Sequence, residues 1–222
     1  MKEEFFDEQI LNLRNQKEKE PYKEHGRVVT EGTMETVDSL DICQIPPEER
    51  SIYTGIRIEG TWIYFERRFL QEEMISIMIP NNFTPMNPEA ARFKYPSEHR
   101  PQTILTDPSG AINLLFQQMA GTVSDGIEAL RNLTFGMMKR INQGIKVIEQ
   151  GMTEAKGKEI AYVEFSNPAM DGKLYNLMFF LEAEGIPYMG TFNCPTKGMK
   201  YWTKAAFEML KSIEVVEKRK EV

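Results

Sequence analysis

The last third of the chain contains four short strand-like runs in succession, at about 145–151, 158–165, 173–183 and 186–193. Only Glu184-Gly185 separates the last two runs, and such a pair is typical of a tight hairpin turn. A parallel pair of strands needs a crossover connection of a dozen or more residues, which these short turns do not provide. The sequence therefore predicts an antiparallel sheet in this part of the chain.

Two longer segments have the apolar spacing of amphipathic helices, and each needs a sheet to cover its apolar side. Residues 124–142, with Ser124 or Asp125 as the expected N-cap, bury one side made of Ile127, Leu130, Leu133, Met137, Met138 and Ile141. Residues 198–212 and the position just beyond them present Trp202, Ala205, Ala206, Met209 and Ile213. The predicted fold class is α+β, an antiparallel sheet with helices packed on it.

The middle of the chain adds further strands and one short helix. The run "MISIMIP" alternates Ile75, Ile77 and Ile79 on one face and ends at a proline. The segment "QTILTDPSGAINLLFQQM" has the shape of a hairpin with its turn at Asp-Pro-Ser-Gly. Between these strands, a helix can form only between Pro88 and Pro96.

Residues 1–71 differ from the rest and are predicted to be an extension. A short helix with Phe6, Ile10 and Leu13 on one side is followed by strand-like segments at 27–45 and 52–69. In the second of these, Glu59-Gly60 is a candidate hairpin turn. The predicted domains are this N-terminal helix and β-hairpin extension, a main domain over 72–215, and a charged tail over 216–222.

Composition argues against several classes of function. The chain has 33 acidic and 27 basic residues and a net charge of −6, which disfavours binding to a nucleic-acid backbone. It lacks the glycine-rich motifs of nucleotide sites, a secretory signal pattern and a run of roughly 20 apolar residues that would span a membrane. The histidines, His25 and His99, have no metal-ligand spacing. We therefore expect a cytoplasmic protein with no cofactor, no metal, no nucleic acid and no membrane contact.

His99, in "KYPSEHRP", is the first candidate for chemistry. A catalytic role would need a distant carboxylate such as Asp107 or Glu164, because neighbouring side chains of an extended backbone point to opposite sides. Pro96 and Pro101 flank the segment and restrict the residue before each of them. A structured turn is therefore the favoured interpretation.

Cys194 is the second candidate, since it lies at a strand end just before the last helix. A thiol beside a helix N-terminus can have a lowered pKa and be reactive. Cysteine also behaves as a small buried hydrophobe, and with no histidine nearby in the sequence we favour that role. Glu164 lies on the polar side of its strand, "EIAYVEF", and is expected to be solvated.

The order of these segments is similar to that of a known family. The stretches that carry the resemblance are "MISIMIPNNF", "KYPSEHRPQTILTDPSGAINLLFQQM" and "GTFNCPTKGMKYWTKAAFEMLKSIEV". Over about residues 72–215 the chain resembles the PsbP-like fold, which is shared by the photosystem II extrinsic protein PsbP, the Ran-binding Mog proteins and bacterial proteins of unassigned role. The resemblance implies an α/β/α sandwich and a binding or assembly role without chemistry of its own.

The predicted function is that of a non-catalytic binding or assembly protein with a protein partner. Loops on a rigid scaffold usually carry recognition, so contacts are expected on "NNFTPMNP" and "NPAMDG". The candidate contact residues are Phe83, Met86, Tyr95, His99 and Met170. The first seventy residues either cover an open face or form a homodimer contact. The alternatives are a small hydrolase or transferase that uses His99, and a carrier of a small apolar ligand held in an enclosed cavity.

Overall fold

The computed structural model of this protein describes residues 50–169 and 172–216. The predicted helix near the N-terminus, the strand-like segment 27–45, His25, Cys43, Met170 and residues 217–222 lie outside the described residues. Within the described residues, no helix is long and apolar enough to cross a bilayer.

The described residues form twelve strands and three α-helices, with a single 3-10 turn at Thr196–Gly198. The strands are β1 (Ile56–Ile58), β2 (Thr61–Ile63), β3 (Phe65–Leu70), β4 (Ile75–Pro80), β5 (Thr84–Pro85), β6 (Thr103–Thr106), β7 (Asn113–Gln118), β8 (Lys146–Ala155), β9 (Lys158–Ala169), β10 (Gly172–Ala183), β11 (Ile186–Pro195) and β12 (Glu214–Val215). The helices are α1 (Pro88–Lys94), α2 (Ile127–Ile141) and α3 (Met199–Lys211).

Seven of the strands form one antiparallel sheet in the order β5-β6-β7-β11-β10-β9-β8. The four consecutive strands β8 to β11 are the predicted meander, and Ala183 pairs with Ile186 across the predicted tight turn. Two smaller antiparallel sheets have the orders β12-β4-β3 and β1-β2. Glu59 and Gly60 join β1 to β2 with φ angles of 49° and 86°, as a type I′ hairpin requires. The predicted α+β class and antiparallel pairing are confirmed.

The seven-stranded sheet is covered on both faces. On one face, α3 and the β12-β4-β3 sheet enclose the largest apolar cluster, in which Trp202, Ala205, Ala206, Met209 and Ile213 are all buried as predicted. On the other face, α2 covers one part of the sheet and α1 covers another. This arrangement is the predicted α/β/α sandwich.

Helix α2 differs from its prediction in cap and in buried side. The N-cap is Gly126 at φ 87°, without a side-chain hydrogen bond, so neither Ser124 nor Asp125 has the predicted role. The fully buried positions are Ile127, Arg131 and Phe135.

The contacts of Arg131 explain which side of α2 is buried. Its guanidinium donates to the carbonyl oxygen of Gly151 at 2.8 Å and pairs with Glu128 at 2.9 Å, so the arginine side of α2 faces the sheet. Three apolar side chains that were predicted to be buried are therefore exposed, namely Leu133 (64%), Met137 (49%) and Ile141 (87%).

Candidate functional site

A surface cleft of about 440 Å³ separates α1 from the edge of the seven-stranded sheet at β6. We call it the α1–β6 cleft. Its lining comes from the end of β5, from α1 and from the segment that enters β6: Pro85, Met86, Pro88, Ala91, Arg92, Arg100, Pro101, Gln102, Thr103, Ile104 and Leu105. A carrier of an apolar ligand needs an enclosed apolar cavity between sheet and helix, and this mixed, surface cleft is of a different kind.

Local sequence signals place α1 beside the cleft. Asn87 caps the helix by accepting a hydrogen bond from the Glu89 N–H at 2.8 Å, and Pro88 occupies the first turn, where its missing N–H costs nothing. The helix ends at Tyr95, before Pro96. Lys94 then ties this end to the hairpin between β6 and β7 by donating to the Gly110 carbonyl oxygen at 2.6 Å.

One side of the cleft is formed by the outer side of β6. Strand β5 covers two residues of β6, and the Met86 N–H continues the ladder by donating to the Ile104 carbonyl oxygen at 2.9 Å. The chain then leaves the edge to begin α1. Thr103, the first residue of β6, pairs with Phe116 of β7, and Gln102 lies at a bend before the strand. The cleft therefore opens where β6 begins, beside the first turn of α1.

The charges in the lining are all positive. Arg92 is exposed on α1, and Arg100 is half-buried, with its Nε donating to the Tyr95 carbonyl oxygen at 3.1 Å. No aspartate or glutamate lines the cleft. Neither arginine forms an ion pair with any carboxylate of residues 50–169 or 172–216. Both guanidiniums therefore keep their pairing capacity for a ligand.

A buried polar row crosses the sheet near α1. Its members are adjacent in register on four neighbouring strands and all lie below 10% exposure: Thr106, Asn113, Asn193 and Asn176. The Asn113 amide donates to Asn193 Oδ1 at 2.8 Å, but Asn113 Oδ1 has no hydrogen-bond partner among the described residues.

Tyr95, at the end of α1, brings a second unpartnered group to this row. Its hydroxyl is buried beside Asn193 without a hydrogen bond of its own among the described residues. Burial raises the pKa of Tyr95. Unsatisfied buried polar atoms cost free energy, so α1 rests on a less favourable surface than an apolar one.

The structure separates the predicted contact residues. Met86 lines the cleft, and Tyr95 is half-buried at its rim, where its carbonyl oxygen holds Arg100. Phe83 is only 1% exposed, with its ring centroid 6.3 Å from that of Trp202, and is therefore a core residue rather than a surface contact. His99 is exposed in the turn before β6, and Met170 lies outside the described residues.

The structure does not assemble the relay that a catalytic His99 would need. The backbone N–H of His99 donates to Ser97 Oγ at 3.1 Å, while its imidazole has no hydrogen-bond or ion-pair partner among the described residues. Asp107 is engaged within its own turn, where it accepts from the Ile112 N–H at 2.9 Å and from the Ser109 hydroxyl. Glu164 has a different partner, beneath α3.

Glu164 is buried, contrary to the prediction that it is solvated. It is 4% exposed and accepts a 2.5 Å hydrogen bond from the Tyr175 hydroxyl. Burial raises the pKa of Glu164, the Tyr175 hydrogen bond opposes that effect, and the Glu149 carboxylate opposite it on β8 raises the pKa further. Sequence alternation could not reveal this burial, because α3, which covers this face of the sheet, is distant in sequence.

Cys194 is fully buried in β11, on the side of the sheet covered by α3. Burial raises the pKa of its thiol to about 12, with a further contribution from the charge of Glu59. The thiol is therefore neutral near pH 7, and the proximity of a helix N-terminus does not activate it.

Comparison with known proteins supports the architecture. No protein-family model matches the chain, and no curated protein matches it in sequence. Among solved structures, the cyanobacterial PsbP (CyanoP) of Synechocystis sp. PCC 6803 is 14% identical, with a TM-score of 0.52 over 68% of this chain and 92% of its own. This chain has the PsbP-like fold.

Other proteins with the PsbP-like arrangement match over a similar part of the chain. The Ran-binding protein Mog1p of Saccharomyces cerevisiae is 9% identical, with a TM-score of 0.45 over 70% of this chain and 97% of its own. LpqN of Mycobacterium tuberculosis, described as involved in cell envelope biogenesis, is 12% identical, with a TM-score of 0.45 over 72% of this chain and 95% of its own. At these identities the likeness concerns the fold, and no functional residue is transferred from it.

Proposed function

We propose that this protein is a non-catalytic binding module that holds a protein partner in the α1–β6 cleft. The observation that carries the proposal is the coincidence, in one cleft at the edge of the sheet, of apolar side chains and two arginines without an ion-pair partner among the described residues. The cleft also contains Met86, from a loop that the sequence pattern assigns to recognition.

The rival proposal of a hydrolase has less support. It requires His99 to face a carboxylate, and both carboxylates considered for that role accept hydrogen bonds from other residues. A binding role requires only a shaped, partly apolar surface with some polar groups that fix orientation. The cleft has these properties without further rearrangement.

Site-specific crosslinking tests the proposal directly. A photoreactive amino acid replaces Arg92 on the cleft rim or, as a matched control, Glu154, an exposed residue of β8 at the opposite edge of the sheet. We expect position 92 to give a defined protein adduct in native cell extract and position 154 to give none. The partner, once identified and purified, should bind the Met86→Ala variant roughly tenfold more weakly, the effect of losing one contact worth about 1.4 kcal/mol.

The opposite pattern would overturn the proposal. An adduct that forms from position 154 and not from position 92, or a purified partner whose affinity is unchanged by Met86→Ala, places the interaction elsewhere. The cytoplasmic location and a homodimer formed through residues 1–71 stay predictions. Imaging of the full-length chain in its native cell and sedimentation of the purified protein with and without those residues would test them.

A further inference from the structure

We infer that the partner segment held in the α1–β6 cleft is a peptide that carries an acidic side chain. This inference rests on the proposed function and adds the charge of the ligand. It depends on the charge of the lining and on the hydrogen bonds that hold Arg100 in place.

The charge argument starts from a contrast with the rest of the chain. The protein has a net charge of −6, yet the cleft lining includes two arginines and no carboxylate. A guanidinium offers a planar set of donors that matches a carboxylate in a two-bond pairing. An acidic side chain bound in the cleft would meet cationic donors and no like charge in the lining.

Arg100 is held in place before any ligand arrives. Its Nε donates to the Tyr95 carbonyl oxygen at 3.1 Å, and its backbone N–H donates to the Ser97 carbonyl oxygen at 3.2 Å. The following Pro101 restricts its backbone further. The terminal nitrogens of Arg100 have no partner among the described residues. Because Arg100 is already held by its Nε and its backbone, it loses little side-chain freedom when these nitrogens bind an acid.

The lining also provides apolar surface beside the arginines. Met86, Ala91 and Ile104 line the same cleft as Arg92 and Arg100. A peptide that places an acid against the arginines can therefore also bury an apolar side chain in the cleft.

Selection from a random linear peptide library on the purified full-length protein tests the inference. We expect selected peptides to contain aspartate or glutamate together with a large apolar residue. Replacement of that acid by its amide should weaken binding about tenfold or more, measured by calorimetry, because a hydrogen-bonded charge pair is lost.

Charge reversal on the protein supplies the matched comparison. Arg92→Glu should lower affinity for the acidic peptides and should select lysine-containing peptides in a repeated experiment. Arg140→Glu, at an exposed arginine of α2 that does not line the cleft, changes the net charge by the same amount and should leave the affinity within about twofold, since salt screens exposed charges that do not contact the ligand.

The contrary outcomes separate this inference from the proposed function. Peptides that bind in the cleft, as judged by loss of binding in Met86→Ala, but show no preference for acids would overturn the inference and leave the function intact. Peptides that bind only through a free C-terminal carboxylate, and are lost on amidation, would also overturn it. Selected peptides unaffected by either Met86→Ala or Arg92→Glu, together with crosslinks only from position 154, would overturn both.

Discussion

The two faces of the seven-stranded sheet differ in how completely they are covered. On one face, Trp202 of α3 packs with its ring centroid 5.5 Å from Phe192 and 6.3 Å from Phe83, inside the largest buried cluster. On the other face, α1 rests on a small cluster whose fully buried members are Ala91, Ile104 and Leu115, next to the polar row. The difference predicts that the α3 face contributes more to the free energy of unfolding, whereas the α1 face contains the cleft proposed for binding.

The physical origin of the difference lies in the helices. Helix α3 brings Ala205 and Ala206 against the sheet, and these small residues allow a close approach. Helix α2 is instead oriented by Arg131, whose guanidinium donates hydrogen bonds to the backbone oxygens of Gly151 and Tyr162. This orientation leaves an apolar stripe exposed to solvent, formed by Leu133, Met137 and Ile141. The α3 face should therefore dominate the free energy of unfolding, and the following predictions test this.

Truncation of Trp202 should have the largest effect. Trp202→Ala should lower the free energy of unfolding by about 3–5 kcal/mol, because it leaves a cavity among buried aromatic rings. Met137→Ala removes a large side chain from the exposed stripe of α2 and should change stability by less than about 0.5 kcal/mol. Urea unfolding of both variants measures the contrast. Equal losses would mean that the two faces contribute alike.

Addition of one methyl group at Gly190 should have the next largest effect. A Cβ at this position of β11 would overlap the Phe179 ring on the neighbouring strand β10. Gly190→Ala should therefore cost about 1–3 kcal/mol. The double variant Gly190→Ala/Phe179→Leu should lose less than the sum of the two single variants, because the smaller side chain relieves the overlap.

Gly136, in the interior of α2, is the matched control for Gly190. No atom lies within 4 Å of a Cβ built there, so Gly136→Ala should stabilise the protein by about 0.8–1.0 kcal/mol through helix propensity. If Gly190→Ala were also stabilising, the tight packing of the α3 face would be contradicted.

Substitution of Glu164 should change the pH dependence of stability rather than its overall size. Burial raises the pKa of Glu164 above its ordinary value of 4.5, so the folded protein holds this proton more tightly than the unfolded chain. The resulting stabilisation is fully present below pH 4.5 and is lost as the pH rises through the raised pKa.

Glu164→Gln tests that assignment, since glutamine can still accept the hydrogen bond from Tyr175 but does not titrate. Melting temperatures measured from pH 4 to pH 8 should fall less steeply above pH 4.5 for the variant than for the wild type. Glu154→Gln, at an exposed position of β8, is the control and should leave the pH profile unchanged. Parallel profiles for Glu164→Gln and the wild type would show that Glu164 does not cause the dependence.

The sequence predicted one loop of the candidate site, but it did not identify the two arginines that line the cleft. The loop that contains Met86 was predicted to carry recognition, because prolines and asparagines mark a surface turn on a patterned scaffold. Arg92 and Arg100 were not distinguished from other surface charges, since pairing depends on neighbours that the sequence does not order. Phe83 lies in the same loop as Met86, and only its fit against Trp202 places it in the core.

The sequence by itself determined the strands, the helices and their antiparallel connection, because hydrophobic periodicity and short turns act over neighbouring residues. The tertiary structure decided which side of α2 is buried, that Glu164 lies under a helix, and that Arg92 and Arg100 line the same cleft. These outcomes depend on contacts between residues far apart in the chain. Arg131 binds an oxygen of β8, and Glu164 meets Tyr175 from the neighbouring strand under α3, so no local pattern encodes either result.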